Sequence, residues 1–285
     1  MACDRVEEVR PAGRDDIPTI GNVFVGELER ILGENLYAAV IYGAAAFPDM
    51  LPTGDIDFHV LLHRPLTDAE RAALEAMHEM LAERFPPLGA EMDGYYLLLE
   101  DARGIAPPQS QMWARATDGS WALHRAHILA GRCLVLHGPE SSSIYPPPTW
   151  SELEAALDDE LAYVEEHLHE YPDYCILNLC RLIYSFTTRD VVVSKAGAAR
   201  WALDALPDWC DAIHLAMTSY EGRASEGDRS RMLRQVERLL ANARRRIAAC
   251  QAADWQDRTG YTADASLLRS ARSTLDGTNV ETSPP

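Results

Sequence analysis

The chain has 285 residues, enough for two cores, and its 47% apolar and 25% charged content is that of a soluble globular protein. A net charge of −18 repels a nucleic-acid backbone and anionic lipid, so neither is expected as a partner. The same charge attracts a polycationic partner or substrate, although solubility alone accounts for it.

No run reaches the ~20 apolar residues of a membrane span. The opening MACDRVEEVR lacks the basic and then apolar pattern of a secretory leader, so a cytoplasmic setting is expected. Six cysteines (Cys3, Cys133, Cys175, Cys180, Cys210 and Cys250) form no CxxC pair and read as buried thiols. Nine histidines form no HExxH or HxH set, and His59 and His63 read as partly buried or rim residues.

In chain order, residues 1–14 read as loosely ordered. Apolar residues at helical spacing follow, up to about Leu36. YAAVIYG and DIDFHVLL read as two strands joined by a turn containing Pro and Gly. LTDAERAALEAMHEMLAERF places Leu74, Met77 and Leu81 on one helical face. GYYLLLE reads as a third strand, WALHRAHILAG as a helix and RCLVLHG as a further strand. The Gly, Ser and Pro of GPESSSIYPPPTW then signal a linker.

Beyond the linker the pattern is helical throughout. Thr149 to Glu152 (TWSE) is a capping-box pattern opening a helix over 150–169. Further helices are expected at about 174–188, 195–206, 208–221 and 228–252. The fold class expected is α+β, with a mixed-sheet domain at 15–148, a helical bundle at 149–255, a disordered tail at 256–285, and a cleft between the domains.

Asp55 and Asp57 stand one residue apart in an apolar strand. Period-two alternation points both to one face, where two carboxylates repel unless a hard cation bridges them. Mg²⁺ suits such a pair, because it takes one or two carboxylates together with substrate phosphates. Upstream, Gly43 ends an apolar strand, and the amides of its turn offer a cradle for phosphate oxygens. Strand, glycine turn and D-x-D together fit metal-assisted nucleotidyl transfer, with Asp93 or Glu91 as a third carboxylate and base. Metal-dependent glycosyltransferases also use D-x-D, but the helical second half offers no further nucleotide-binding α/β unit.

YG-A…GDIDFHV resembles the signature of polymerase-β-like nucleotidyltransferases. LVLHGPE and YCILNLCRLIYSFTTRDVVVSKAGAARWALDALP resemble the aminoglycoside adenylyltransferases that modify streptomycin and spectinomycin, over roughly residues 25–250. The resemblance implies that Asp55 and Asp57 hold Mg²⁺ and that Asp93 is the catalytic carboxylate. It also implies that Gly43, Ala44, Arg181 and Lys195 contact ATP, the co-substrate. The acceptor expected is a small cationic aminoglycoside or aminocyclitol, with Glu165 and Glu166 as candidates to face it.

Three departures from the family pattern stand out. Ala44 replaces a serine, Gly54 precedes the first aspartate where serine is common, and Ala162, Tyr163 and Val164 fall where the streptomycin enzymes carry a tryptophan. They leave open a second expectation, a nucleotide-binding homologue without transferase activity. The sequence leaves the oligomeric state open.

Overall fold

The computed structural model describes residues 12–51, 55–113 and 119–252. The readings made above for residues 1–11, Cys3, Gly54 and the tail from 256 lie outside the described residues.

The fold is α+β. Helix α1 (Ile17–Leu32) leads into strand β1 (Leu36–Tyr42), a 3₁₀ turn at Gly43–Ala46, and strand β2 (Ile56–Leu62). Helix α2 (Asp68–Arg84) crosses over to β3 (Met92–Leu98), followed by the short α3 (Leu99–Ala102), α4 (Trp121–Leu129) and β4 (Cys133–His137). The strands lie in the order β3-β2-β1-β4, with β2 and β3 parallel and the other pairs antiparallel.

The second half is helical: α5 (Trp150–Glu166), α6 (Pro172–Thr188), α7 (Lys195–Ala205), α8 (Cys210–Tyr220) and α9 (Glu226–Ala252). The capping box read at Thr149 is formed, the Thr149 side chain accepting from the Glu152 amide. No helix among the described residues is long and apolar enough to cross a membrane. No disulfide joins Cys133, Cys175, Cys180 or Cys210.

Alternation along the strands sorts the sheet into two faces. Ile41 of β1 and Ile56, Phe58, Val60 and Leu62 of β2 pack with Phe24, Leu28, Leu74 and Leu81 of α1 and α2 into one core. The opposite face carries Tyr42, Asp57, His59, Asp93 and Tyr95, and an apolar layer of Leu61, Leu97 and Trp121 continues it away from the polar row. β3 starts two residues earlier than its sequence suggests. Parallel pairing with β2 draws Met92 and Asp93 into the ladder opposite Ile56 and Asp57, so Asp93 lies in a strand rather than in the turn before it.

In the helical half, α6 is the central element, packed against α5, α7, α8 and α9 through Ile176, Leu179, Cys180 and Ile183. Helix α4 belongs to both layers: Trp121 and Ile128 pack with the sheet, while Ala122, Leu123 and Ala126 enter the helical core. This shared helix fixes the cleft between them.

Arg125 of α4 is 1% exposed, lies over the Trp121 ring, donates to the Pro146 carbonyl and pairs with Glu152 of the α5 capping box. A buried guanidinium that loses its carboxylate is costlier than a pair replaced as a whole. Glu152→Ala should therefore destabilise the protein by ~3 kcal/mol, and the double change Arg125→Met with Glu152→Ala by less, as measured by urea denaturation.

Candidate active site

Two registers align one polar row of three residues across the sheet. Tyr42 of β1 is opposite Asp57 of β2, and Asp57 is opposite Asp93 of β3. Two residues along, Val40, His59 and Tyr95 form the next row on the same face. Asp55 sits immediately before β2 and lines the same cleft as Asp57. A pair read from D-x-D thus becomes a three-carboxylate cluster through strand pairing.

The cluster is electrostatically loaded. Burial, then the charges of Asp55 and Asp93, push the Asp57 carboxyl well above the usual carboxylate range, while Lys195 and the Ala44 amide act the other way. Burial and the charge of Asp57 likewise keep the Tyr42 phenol protonated. Gly43 is what lets Asp57 fit. Its φ is +65°, and a Cβ there would lie 1.8 Å from Asp57 Oδ2. The next amide, that of Ala44, donates to the Asp57 carboxylate, so this turn first orients a carboxylate.

Among the described residues, no set of three or more His, Cys, Asp and Glu side chains is arranged to hold a metal by itself. The donor set nevertheless suits a hard divalent cation whose remaining ligands come from a phosphate and water. The carboxylates are close enough to raise Asp57, and their mutual repulsion is what such a cation relieves.

The facing wall is helical and cationic. Lys195 opens α7 after the Ser194 N-cap, whose hydroxyl accepts from the Gly197 amide. The Lys195 ammonium lies over the rings of Tyr174 (4.6 Å) and Tyr220 (5.3 Å). Burial lowers its pKa, and Asp55, Asp57 and Glu160 oppose that. Arg181 emerges from α6 on the line Tyr174, Asn178, Arg181, its guanidinium donating to Asn178 Oδ1 at 3.2 Å.

A strap following the glycine turn joins the two walls. Phe47 is buried beside His127 and Arg132, Leu51 packs against the helical core, and Asp49 accepts from Arg200 and from the Ser194 hydroxyl of α7. The turn beside Asp57 and the helix end that carries Lys195 are thereby tied together.

The cleft has two lobes. One, of about 200 Å³, is lined by Gly43, Ala44, Asp55, Asp57, Arg181 and Lys195, among others. The other, of about 460 Å³, contains Asp57, Asp93, Asp159 and Glu160, with the rings of Tyr95, Tyr163 and Tyr174, and among the described residues no Lys or Arg lines it. Tyr42, Asp57, Ser120, His124, Glu160 and Tyr174 border both.

The metal, catalytic and nucleotide candidates read from the sequence converge on this cleft, whereas Glu165 and Glu166 line neither lobe. Glu165 turns toward α9 and pairs with Arg244, and Glu166 lies exposed a turn beyond the lobe. The acidic side chains that do line it are Asp159 and Glu160, in the helical register Ala156, Asp159, Glu160, Tyr163. The carboxylate of Asp159 approaches Gly119 so closely that a Cβ there would lie 1.7 Å from its Oδ2. His59, read as a partly buried or rim residue, is fully buried, 3.1 Å from the Tyr145 hydroxyl and 3.3 Å from His124 Nδ1, whereas His63 is exposed.

Residues 149–246 match the profile of the family described as aminoglycoside adenylyltransferase, C-terminal domain. Among solved structures, the chain is similar to the spectinomycin adenyltransferase AAD(9) from Enterococcus faecialis, determined with ATP and spectinomycin. The TM-score is 0.67, with 80% of this chain and 99% of that one covered at 17% identity, a likeness that establishes the fold.

Gly43→Ala should cost ~2 kcal/mol or more, since the new Cβ meets Asp57 and the backbone stays left-handed. Denaturation midpoints would check this. Wild-type stability in that variant would mean that the turn does not constrain Asp57. Asp49→Ala should leave the midpoint within a degree or two while loosening the α7 N-terminus, read as faster amide exchange at Gly197.

Proposed function

We propose that this chain, a member of the aminoglycoside adenylyltransferase family by its C-terminal domain, moves AMP from ATP to a hydroxyl of a small cationic acceptor of the aminoglycoside or aminocyclitol class. The observation that carries this reading is the division of the cleft. A lobe with Lys195 and Arg181 meets, at Asp57, a larger lobe walled by carboxylates and aromatic rings. The first suits a triphosphate and the second an ammonium-bearing ring system.

Asp55 and Asp57 would hold Mg²⁺ together with the phosphates, with Asp93 beside them. When bound, the ion supplies charge neutralisation at the triphosphate. Lys195 and Arg181 draw the β- and γ-phosphates toward the helical wall, which leaves the α-phosphorus toward the larger lobe.

Asp93, next to Asp57 in the sheet, accepts the proton of the acceptor hydroxyl. The hydroxyl oxygen forms the new bond to the α-phosphorus, and the bond from that phosphorus to the pyrophosphate oxygen breaks. Asp159 and Glu160 supply the negative wall that holds the cationic acceptor, with Tyr163 and Tyr174 as flat contacts. AAD(9), with its bound ATP and spectinomycin, supports ATP as the donor and an aminocyclitol as the class of acceptor.

Incubation with ATP, Mg²⁺ and a panel that includes spectinomycin and streptomycin, with pyrophosphate as readout, tests the reading. Turnover on at least one member is expected. ATP binding without turnover on any member would instead favour the nucleotide-binding homologue. Asp57→Asn should lower kcat/KM by about 10³-fold or more. The same variant should unfold at an equal or higher temperature than wild type, because it removes a buried carboxylate crowded by two others. Retained turnover in it would rule out the cation role.

A further inference from the structure

Helix α6 is the apolar centre of the helical half, yet it carries a buried asparagine between two leucines. Asn178 is 2% exposed, and Leu177 and Leu179 on either side of it are fully buried. Its Oδ1 lies 3.2 Å from Arg181 Nη1, three residues along the same helix. A guanidinium only donates, so the amide is held with its oxygen toward Arg181. The other end of the amide gains little. Nδ2 is buried and, among the described residues, makes no hydrogen bond of normal geometry, although it favours the ionised form of the Tyr174 phenol. A buried donor left in that state costs stability that a leucine at the same position would keep.

The reason for the asparagine lies in Arg181. Its side chain is half-buried and lines the smaller lobe together with Lys195. The two cations repel, and the charge of Arg181 is among the causes that hold the Lys195 pKa down. Among the described residues no carboxylate lies within ion-pairing distance of Arg181, and Asn178 is its hydrogen-bond partner. A carboxylate would hold the guanidinium equally well but would cancel its charge toward a phosphate. A neutral amide oxygen occupies one N–H and leaves the charge and the remaining donors for a ligand.

We infer that Asn178 is a positioning residue for the nucleotide, which fixes the Arg181 guanidinium at the smaller lobe without neutralising it and so sets the affinity for the triphosphate. The inference rests on the adenylyl-transfer reading and adds to it a residue that lines neither lobe. A long side chain loses rotamer freedom when a ligand orders it, and one held beforehand avoids part of that loss. Repulsion from Lys195 would otherwise drive Arg181 away from the place where both cations meet the phosphates.

The test compares Asn178→Leu, Asn178→Asp, Arg181→Met and the double change Asn178→Leu with Arg181→Met against wild type, in the full chain. Calorimetry of MgATP binding and thermal unfolding are the readouts, with pyrophosphate release on the antibiotic panel alongside. Asn178→Leu should weaken MgATP binding about 10-fold while its unfolding midpoint equals or exceeds that of wild type. Opposite signs separate positioning from structure, because a residue needed for the fold would lower both. Asn178→Asp keeps an acceptor of the same shape but pairs Arg181 with a charge, and should weaken MgATP binding at least as much. In the Arg181→Met background, Asn178→Leu should bring no further loss, since it acts through Arg181. Wild-type affinity in Asn178→Leu or Asn178→Asp overturns the inference while leaving the transfer reading intact. So does a lowered midpoint in Asn178→Leu, or a further loss of affinity in the double variant, either of which would assign the asparagine a structural role. Wild type that neither binds MgATP nor reacts with any panel member overturns both.

Discussion

The constraint on which the site depends is the repulsion among Asp55, Asp57 and Asp93. Burial and these neighbours place Asp57 where an ionised carboxylate is least comfortable, and the structure answers with the Ala44 amide and the charge of Lys195. Everything nearby serves that balance. Gly43 has no side chain because the carboxylate occupies its Cβ position, and the 3₁₀ turn brings the next amide onto the same oxygens. The first turn of α7 is tied to the strap through Asp49, which holds Lys195 where its charge counts.

The two halves divide the work by the chemistry each kind of element supplies. A sheet sets side chains in rows across neighbouring strands, which is how residues 42, 57 and 93 meet. Helices project side chains at i, i+3 and i+4, and α5 uses that to turn Asp159, Glu160 and Tyr163 toward one cavity. Helix α4, packed into both layers, makes their separation a property of the core rather than of a linker. In the proposed reaction the same arrangement separates a cation-lined place for phosphates from an anionic place for the acceptor.

The elements were legible in the sequence because their patterns are local. Alternation in DIDFHVLL and helical spacing in α2 and α5–α9 located them to within a few residues. The start of β3 was missed because parallel pairing with β2, not local propensity, recruits Met92 and Asp93. The aspartate pair was visible as a cost needing an explanation. Arg181 and Lys195 were singled out by resemblance, with the apolar flanks Leu179, Leu182 and Ile183 as the one local mark on Arg181. The His59 and His124 pair was hidden because its members lie 65 residues apart and their imidazoles meet only after the sheet and α4 pack. Asp159 and Glu160 were readable in principle. They continue from Ala156 to Tyr163 on one helical face, a register that Glu165 leaves when it turns to Arg244.

The net charge of −18 acquires a local meaning in this arrangement. Distributed negative charge explains solubility and little else, but the larger lobe concentrates Asp57, Asp93, Asp159 and Glu160 around aromatic rings, without a balancing Lys or Arg among the described residues of its lining. Aromatic faces and carboxylates attract ammonium groups by the same sign of charge, and low-dielectric walls strengthen both. In the proposed reaction the triphosphate is repelled from that surface and drawn to the Lys195 and Arg181 side. This charge pattern thus orients, in the proposed reaction, two substrates of opposite sign from opposite ends of one cleft, with Asp57 at the border between them.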